Sequence, residues 1–587
     1  MKRIIRITIY LFFSLFSLVL FPEVVEELTI EGSIRTEDML SKKMIIIDSE
    51  EIKNLGIIEI SDLFKIISSV DVNRRGPGMT SFDLTMRGSN FEQILLMVNG
   101  IPVNNGQTGH FNTDLTFAVG DIERIEVSQG ANSVFHGSNG FAGIINIVLK
   151  ERSGYQMGIT GGENSLSHFS LGAGSKYKKL SFGFSAEDSS STGYYEGQEF
   201  DNLNLRTYIS FSNSKIGGKL NFGYLKKAFG AKDFYAPYPS FENIESGNFH
   251  FNLHTKGKIL HRISFSHTIH KDIFVLDRYN HDFFSSESTT NHTYLKVHNT
   301  IRSGILLFSG GADLEVMNMD SSTMGYQNQS RSGIYFAGGL KKPVWGLDLG
   351  ARINYSTEHK SYFTYYAGVY RIFNNRDTLR FNIGKAVRYP SFTEMFYNSP
   401  ANKGDPDLQP ENSSNFEISF LRHFKNFNIS ISGFYRKQDH MIDWIRAFDE
   451  STWRAANVEK NDVSGYELMS EFILDSAKFK AILEKIFVTG NNQNFISKYG
   501  FRFPEFKLNF IYMQRLTENL NFSAKYIYKQ IYETGEKASL LDINLNMQLK
   551  GLSFSIHADN LFNSVIEEIP GVRIPGRWLW LSLKYQK

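Results

Sequence analysis

The chain contains no cysteine. Disulfides, thiolate metal sites, cysteine nucleophiles and lipidation at an N-terminal cysteine are therefore excluded. An excess of either charge is also missing. Against 63 basic residues stand 61 acidic ones, a formal net charge of +2, which argues against a nucleic-acid footprint. After residue 21 no segment is apolar and long enough to cross a bilayer as a helix. The fifteen histidines form no HExxH pair or other close ligand spacing. Walker A, GxSxG and the nucleotide-binding glycine fingerprint are likewise missing, and nothing clusters an acid, a base and a nucleophile.

What the chain has in quantity is aromatic rings, with 50 Phe and 28 Tyr. Its mean hydropathy is nevertheless −0.26. Strands with one face in lipid and the other towards a wet lumen produce that combination, whereas a helical membrane protein would not. At 587 residues more than one unit is expected. Lys2, Arg3 and Arg6 followed by the apolar run Ile7–Phe21 read as a secretory signal, the run being shorter than the ~20 residues of a membrane helix.

The expected organisation is a signal over 1–21, an extended acidic segment and linker over 22–43, an α+β globule over 44–152 and a β-rich body over 153–587. In the globule, Ser61 is positioned to cap a helix whose Leu63, Ile66, Ile67 and Val70 share a face. Leu84–Met86 and Ile94–Val98 read as strands, the second closed by an Asn99-Gly100 turn. Strand runs Ile122–Val127 and Ile144–Leu149 flank a loop with glycines at 130, 137, 140 and 143.

Beyond Tyr155 the period becomes two. Leu541, Ile543, Leu545, Met547 and Leu549 share one face, with Asp542, Asn544, Asn546 and Gln548 on the other, before a turn at Lys550-Gly551. Phe416, Ile418 and Phe420 answer Phe427, Ile429 and Ile431 across a turn near Lys425-Asn426. A dry-cored sandwich and a wet-lumened barrel both explain such hairpins. The length from residue 155 onward is too great for one sandwich but accommodates twenty-two strands of about ten residues with their connections. A closed barrel also removes the sheet edges.

Specific stretches carry a resemblance. Asp121–Lys150, DIERIEVSQGANSVFHGSNGFAGIINIVLK, closely resembles the end of the plug domain of TonB-dependent outer-membrane receptors. Arg87-Gly88-Ser89-Asn90 and the following ILLMVNGIPVNN resemble another part of that plug. Arg388–Ser419, with its GDPDLQPE core, Ala558–Asn563 (ADNLFN) and Pro575–Arg577 (PGR) resemble barrel motifs of the same family. The terminal residue, Lys587, departs from the family's aromatic end; Tyr585 lies two positions earlier. The resemblance implies a 22-stranded antiparallel transmembrane β-barrel in the outer membrane, plugged by an N-terminal α+β globular domain. It also implies an importer rather than an enzyme. A scarce nutrient would be bound outside and drawn in with energy delivered through TonB, then passed to a periplasmic binding protein. A corrinoid such as cobalamin leads, with a ferric siderophore as the alternative. A passive porin or surface-binding barrel fits less well, because neither needs the N-terminal globule.

Site residues follow from the same resemblance. Glu26, Glu27, Leu28, Thr29 and Ile30 occupy the position of the TonB box, and an extended segment of this kind can add to a partner's sheet edge. Two plug loops would face the ligand, the first offering Arg74, Arg75, Met79 and Ser81, the second Asn104, Asn105, Gln107 and His110. Lys226–Glu242 resembles a loop of cobalamin-receptor-like members, in which Phe234, Tyr235 and Tyr238 would contact the ligand. No covalent cofactor is expected. Calcium is a candidate in the outer loops, where Asp188, Glu196, Glu199, Asp201 and Asp233 supply hard oxygen ligands without EF-hand spacing.

Overall fold

The computed structural model describes residues 41–587 except 78–79, 235–236, 375, 400, 459–460, 490–494 and 570. The segment Glu26–Ile30 and the side chains of Met79 and Tyr235 lie outside the described residues. Gly154–Gly162 begins a closed antiparallel barrel of 22 strands, which Trp578–Gln586 completes by pairing back onto that first strand. Tyr155 and Lys587 exchange backbone hydrogen bonds at the seam, and the Tyr155 and Tyr585 rings lie 5.8 Å apart there.

Period-two alternation produces the wall, with a reversed sense of inside and outside. Leu541, Ile543 and Leu545 are half-exposed on the outer surface, while Asp542, Asn544 and Asn546 are buried. Outward rings such as Phe336, 61% exposed, belong to the apolar band that a bilayer covers. Hairpin turns at one end are tight. Lys550 and Gly551 both have positive φ (44° and 89°), the primed geometry that matches strand twist. The opposite end carries most of the long connections, including 388–411, 439–461 and 489–504. Short turns face the periplasm in outer-membrane barrels, so the long loops form the extracellular mouth.

The polar wall is buried because a globule fills the lumen. Its five-stranded sheet runs Met44–Asp48, Ile122–Gln129, Gly143–Leu149, Ile94–Val98, Ile101–Pro102, and the third and fourth strands are parallel. A separate ribbon pairs Val70–Arg74 with Phe82–Met86. Asn99 and Gly100 turn the chain with φ of 51° and 78°. One local expectation is corrected. Ser61 does not cap a helix; the helix is Ile60–Lys65, begun at Glu59, and the Ser61 hydroxyl is buried without a partner. The chain leaves the helix after Lys65, and Ser69 takes a left-handed φ of 65° that launches Val70 into a strand. Leu63, Ile66, Ile67 and Val70 all enter the core nonetheless.

Charged contacts seat the globule against the wall. Arg87 reaches Glu467 at 2.6 Å, Glu417 at 3.0 Å and Gln129 at 2.7 Å, with its guanidinium 4.4 Å from the Phe434 ring centroid. Asp121 accepts from Arg152 at 3.0 Å and Arg206 at 3.3 Å. Lys480 holds Glu51 at 2.6 Å, and Lys529 holds Asp71 at 3.1 Å. Desolvating such pairs consumes much of their attraction, so their value lies in fixing one seating.

Candidate ligand site above the plug

The second plug loop is fixed by its own side chains before it meets the barrel. The Asn104 amide accepts from Leu96 N at 2.8 Å and donates to Ile94 O at 2.9 Å, which ties the loop to its parent strand. Asn105 accepts from Gln107 N at 2.8 Å, and Glu92 from Gly109 N at 2.7 Å. The loop thereby offers Gln107, Thr108, His110 and Phe111 to a cavity of about 400 Å³ between plug, barrel wall and outer loops. Of the expected second-loop residues, Gln107 and His110 line this cavity, whereas Asn104 serves the loop's internal bonding.

The first loop turns to the wall. Arg74 pairs with Glu568 at 3.3 Å. Arg75 is buried, donating to Asp83 at 2.6 Å, to Phe234 O at 3.2 Å and meeting His110 Nδ1 at 3.1 Å. Ser81 is buried and its carbonyl accepts from Arg75 N. Burial opposes the Asp83 charge, but Arg75 and His110 outweigh it and hold that carboxyl at about 2. Burial also lowers His110 below its ordinary value, with Asp83 opposing. His110 stacks on Phe91 with centroids 4.1 Å apart and meets Tyr499 edge-on at 5.4 Å.

The barrel closes the cavity with residues far apart in sequence. The helix Phe392–Phe396 is capped by Ser391 and Glu394 in a reciprocal box. It is sewn to the plug apex by Phe392 N to Gly106 O at 3.0 Å and Thr393 N to Gln107 O at 2.9 Å. Arg388 grips Glu394 through two bonds at 2.8 and 3.0 Å. Burial, then the nearby Glu394 charge, raise Glu92 to about 8 against the pull of Arg388. The roof is a small sheet of Asn402–Lys403, Trp453–Val458, Met441–Arg446 and Ile496–Ser497. It places Trp444, Asp443 and Tyr499 over the cavity. Burial pushes Asp443 up to about 6, opposed by donors from Ser497, Tyr499 and Trp444.

Tyr238 is at the mouth, its ring 5.4 Å from Phe283. Phe234 instead packs inside a cluster with Phe229, Phe200 and Trp578. The carboxylates named for calcium are not brought together. Asp188 and Asp201 project from the outer face, Glu196 pairs with Lys232 at 3.4 Å, and Glu199 pairs with Arg278. Asp233 occupies a turn with φ of 66°. Among the described residues no three His, Asp or Glu side chains gather as a metal site.

Phe91, Glu242, Asp272, Trp444 and Tyr499 were not singled out in the sequence, because nothing local shows that five separate segments meet. Only the S-x-x-E box at Ser391–Glu394 was there to be read.

Comparisons with known proteins give one picture. Residues 146–561 match the family model described as TonB dependent receptor-like, beta-barrel, and residues 37–144 match the TonB-dependent Receptor Plug Domain. A vitamin B12 transporter BtuB of Vibrio vulnificus (strain YJ016) is 21% identical over 573 residues, covering 90% of this chain and 89% of its own length. A second, from Vibrio vulnificus (strain CMCP6), is 23% identical over 463 residues and covers 72% of each chain. Among solved structures, the siderophore receptor PirA of Acinetobacter baumannii superposes with a TM-score of 0.79 at 14% identity, covering 94% of this chain and 99% of that one. A variant of the ferric enterobactin receptor PfeA from Pseudomonas aeruginosa gives 0.77 at 14%, with 94% and 99% covered.

Proposed function

Because the chain belongs to the TonB-dependent receptor family, and so is an outer-membrane barrel of a Gram-negative bacterium, we propose that it imports a corrinoid of the vitamin B12 class. The family consists of receptors and transporters rather than enzymes, and its members bind small molecules and work with TonB.

The observation that carries the reading is the chemistry of the cavity above the plug. Aromatic residues such as Phe91, Phe111, Trp444 and Tyr499 offer apolar surface to a flat macrocycle, and Gln107, Thr108, Thr393 and Asn402 offer neutral partners for peripheral amides. Among the described residues its lining includes five carboxylates, Glu92, Glu242, Asp272, Glu394 and Asp443, and one ammonium, Lys498. A strongly anionic iron chelate finds little positive charge there to hold it. Relatives named as vitamin B12 transporters add weight. At about 400 Å³ the cavity holds one face of such a ligand, and the rest extends among the outer loops.

On this reading, ligand seats on Gln107 and His110 of the plug and under the Trp444 roof. The strip Glu26–Ile30 pairs with TonB by strand addition. Work done through that strip breaks the plug's seating, and a periplasmic binding protein receives the ligand. A ferric siderophore is the alternative cargo, and calcium in the outer loops is an accessory of the same proposal. The deciding experiment measures binding of cyanocobalamin and of ferric enterobactin to the purified protein, with and without calcium. It is paired with tonB-dependent uptake in a strain lacking its own receptor. Binding of the iron chelate but not of the corrinoid reverses the assignment.

A further inference from the structure

Two carboxylates at the cavity wall each keep one buried oxygen without a hydrogen-bond partner, and among the described residues no cation forms an ion pair with either. Glu242 belongs to the strand Phe241–Thr255 and Asp272 to its neighbour Ile259–Val275. Asp272 stands opposite Ile244, and Glu242 opposite Phe274, so the two acids are diagonal neighbours on the lumenal face. Each is only 3% exposed, and Glu242 Oε2 and Asp272 Oδ1 have no hydrogen-bond partner. Both side chains line the cavity.

The nearby cations are committed elsewhere. Lys227, on the adjoining strand, bonds Asp114 and Thr80 O, and His270 reaches Asp114 at 3.0 Å. Other acids of the lining have partners: Glu394 has Arg388, Asp443 has Ser497 and backbone amides, and Glu92 has Gly109 N. Gln107 hydrogen-bonds the Asp272 carboxyl but brings no charge. Two desolvated like charges are costly until a cation arrives between them. The same cavity is lined by Phe111, Phe274, Phe283, Phe284 and Tyr238, residue types whose π-faces favour a cation.

We propose that Glu242 and Asp272 form a cation-selecting subsite, so that the protein prefers ligands bearing a positive charge over neutral or anionic ones of the same scaffold. This rests on the cavity being the ligand site and deepens that reading by naming the charge class. The pair would take an ammonium, an amidinium-like group or the positive centre of a metal complex lacking a compensating phosphate.

The test uses two ligand pairs matched in scaffold: cyanocobinamide, a cation, against neutral cyanocobalamin, and cationic ferrioxamine B against neutral ferrioxamine E. Equilibrium binding is measured on the purified full-length protein and on the double variant Glu242→Gln, Asp272→Asn. In whichever pair binds, the ratio of cationic to neutral affinity should fall about tenfold in the variant, while the neutral member's affinity stays within about threefold. Retained binding of the neutral member shows that the variant is folded. An unchanged ratio overturns the subsite and leaves the importer reading standing. Failure of all four compounds to bind the native protein overturns the corrinoid assignment and the charge preference together.

Discussion

Arg87 of the plug donates its Nε to Glu467 of the barrel wall at 2.6 Å, and both side chains are almost wholly buried. The same guanidinium also satisfies Glu417. Replacing Arg87 by Ala leaves Glu417 without its cation and Glu467 with the longer Lys43 contact at 4.0 Å as its counter-charge, which costs about 3 kcal/mol of the seated state. Planar-bilayer recordings of the purified variant should show frequent openings, and a trace as quiet as the native protein's would contradict this role.

Removal of Glu26–Ile30 should separate binding from transport. The described lining of the cavity begins at residue 90, so affinity for the ligand should be unchanged. If this strip is the strand-addition handle proposed above, uptake into cells should vanish. Uptake persisting at the native rate would exclude this strip as the coupling element.

Tyr238 and Phe283 form a ring pair at the cavity mouth, 5.4 Å between centroids. Both rings are exposed, so Tyr238→Ala should leave the melting temperature in place. Loss of one aromatic contact of about 1 kcal/mol weakens ligand binding about fivefold. Calorimetric titration reads the affinity directly, and a difference below twofold would place the ligand elsewhere.

Acid should loosen the plug through Asp83. Burial works against its charge, but Arg75 and His110 hold the carboxyl at about 2, below its ordinary value of 3.8. A depressed folded value means the stabilisation is present above about pH 4 and is lost as the pH falls towards 2. The shift corresponds to about 2 kcal/mol. Scanning calorimetry of the plug transition should show Asp83→Asn with a flatter dependence than the native protein over that window. Parallel curves would show that Asp83 is not the group responsible.

Gly143 begins the strand that lies at the centre of the plug sheet. A Cβ there would come 2.8 Å from Ser128 O and would also collide with Met86 Sδ. The methionine can swing away, but the backbone oxygen cannot, so Gly143→Ala should cost about 1–3 kcal/mol through overpacking. Limited proteolysis of the plug is the readout, and native-like protection would argue that the sheet yields more easily than its geometry suggests.

Much of the architecture was legible where local rules suffice. Asn99-Gly100 and Lys550-Gly551 announce primed turns, and both adopt positive φ. The alternation from Leu541 to Leu549 identifies a two-faced strand, although period alone does not tell which face is buried. Helix capping misled at Ser61, because tertiary packing drew that hydroxyl into the interior. The site was less readable. Gln107 and His110 lie on a loop whose glycines and amides suggested ligand contact, but Arg74 and Arg75 look identical in sequence and serve plug-to-wall seating and loop bonding instead. Trp444 and Tyr499 converge on Phe91 from loops hundreds of positions away, and Glu242 meets Asp272 only through strand register. Such meetings are set by barrel closure, which no local pattern encodes.

The wettable inner face of the wall bears on how the protein can work repeatedly. An oil-like seam between two bodies resists parting in water and, once parted, invites wrong partners. Here the parting surfaces are lined by groups such as Asp542, Asn544 and Lys480, which water solvates as readily as the opposing body does. Separation is thus offset by hydration, and the same directional bonds restore the original fit on return. Such a joint is suited to cycling rather than to permanence.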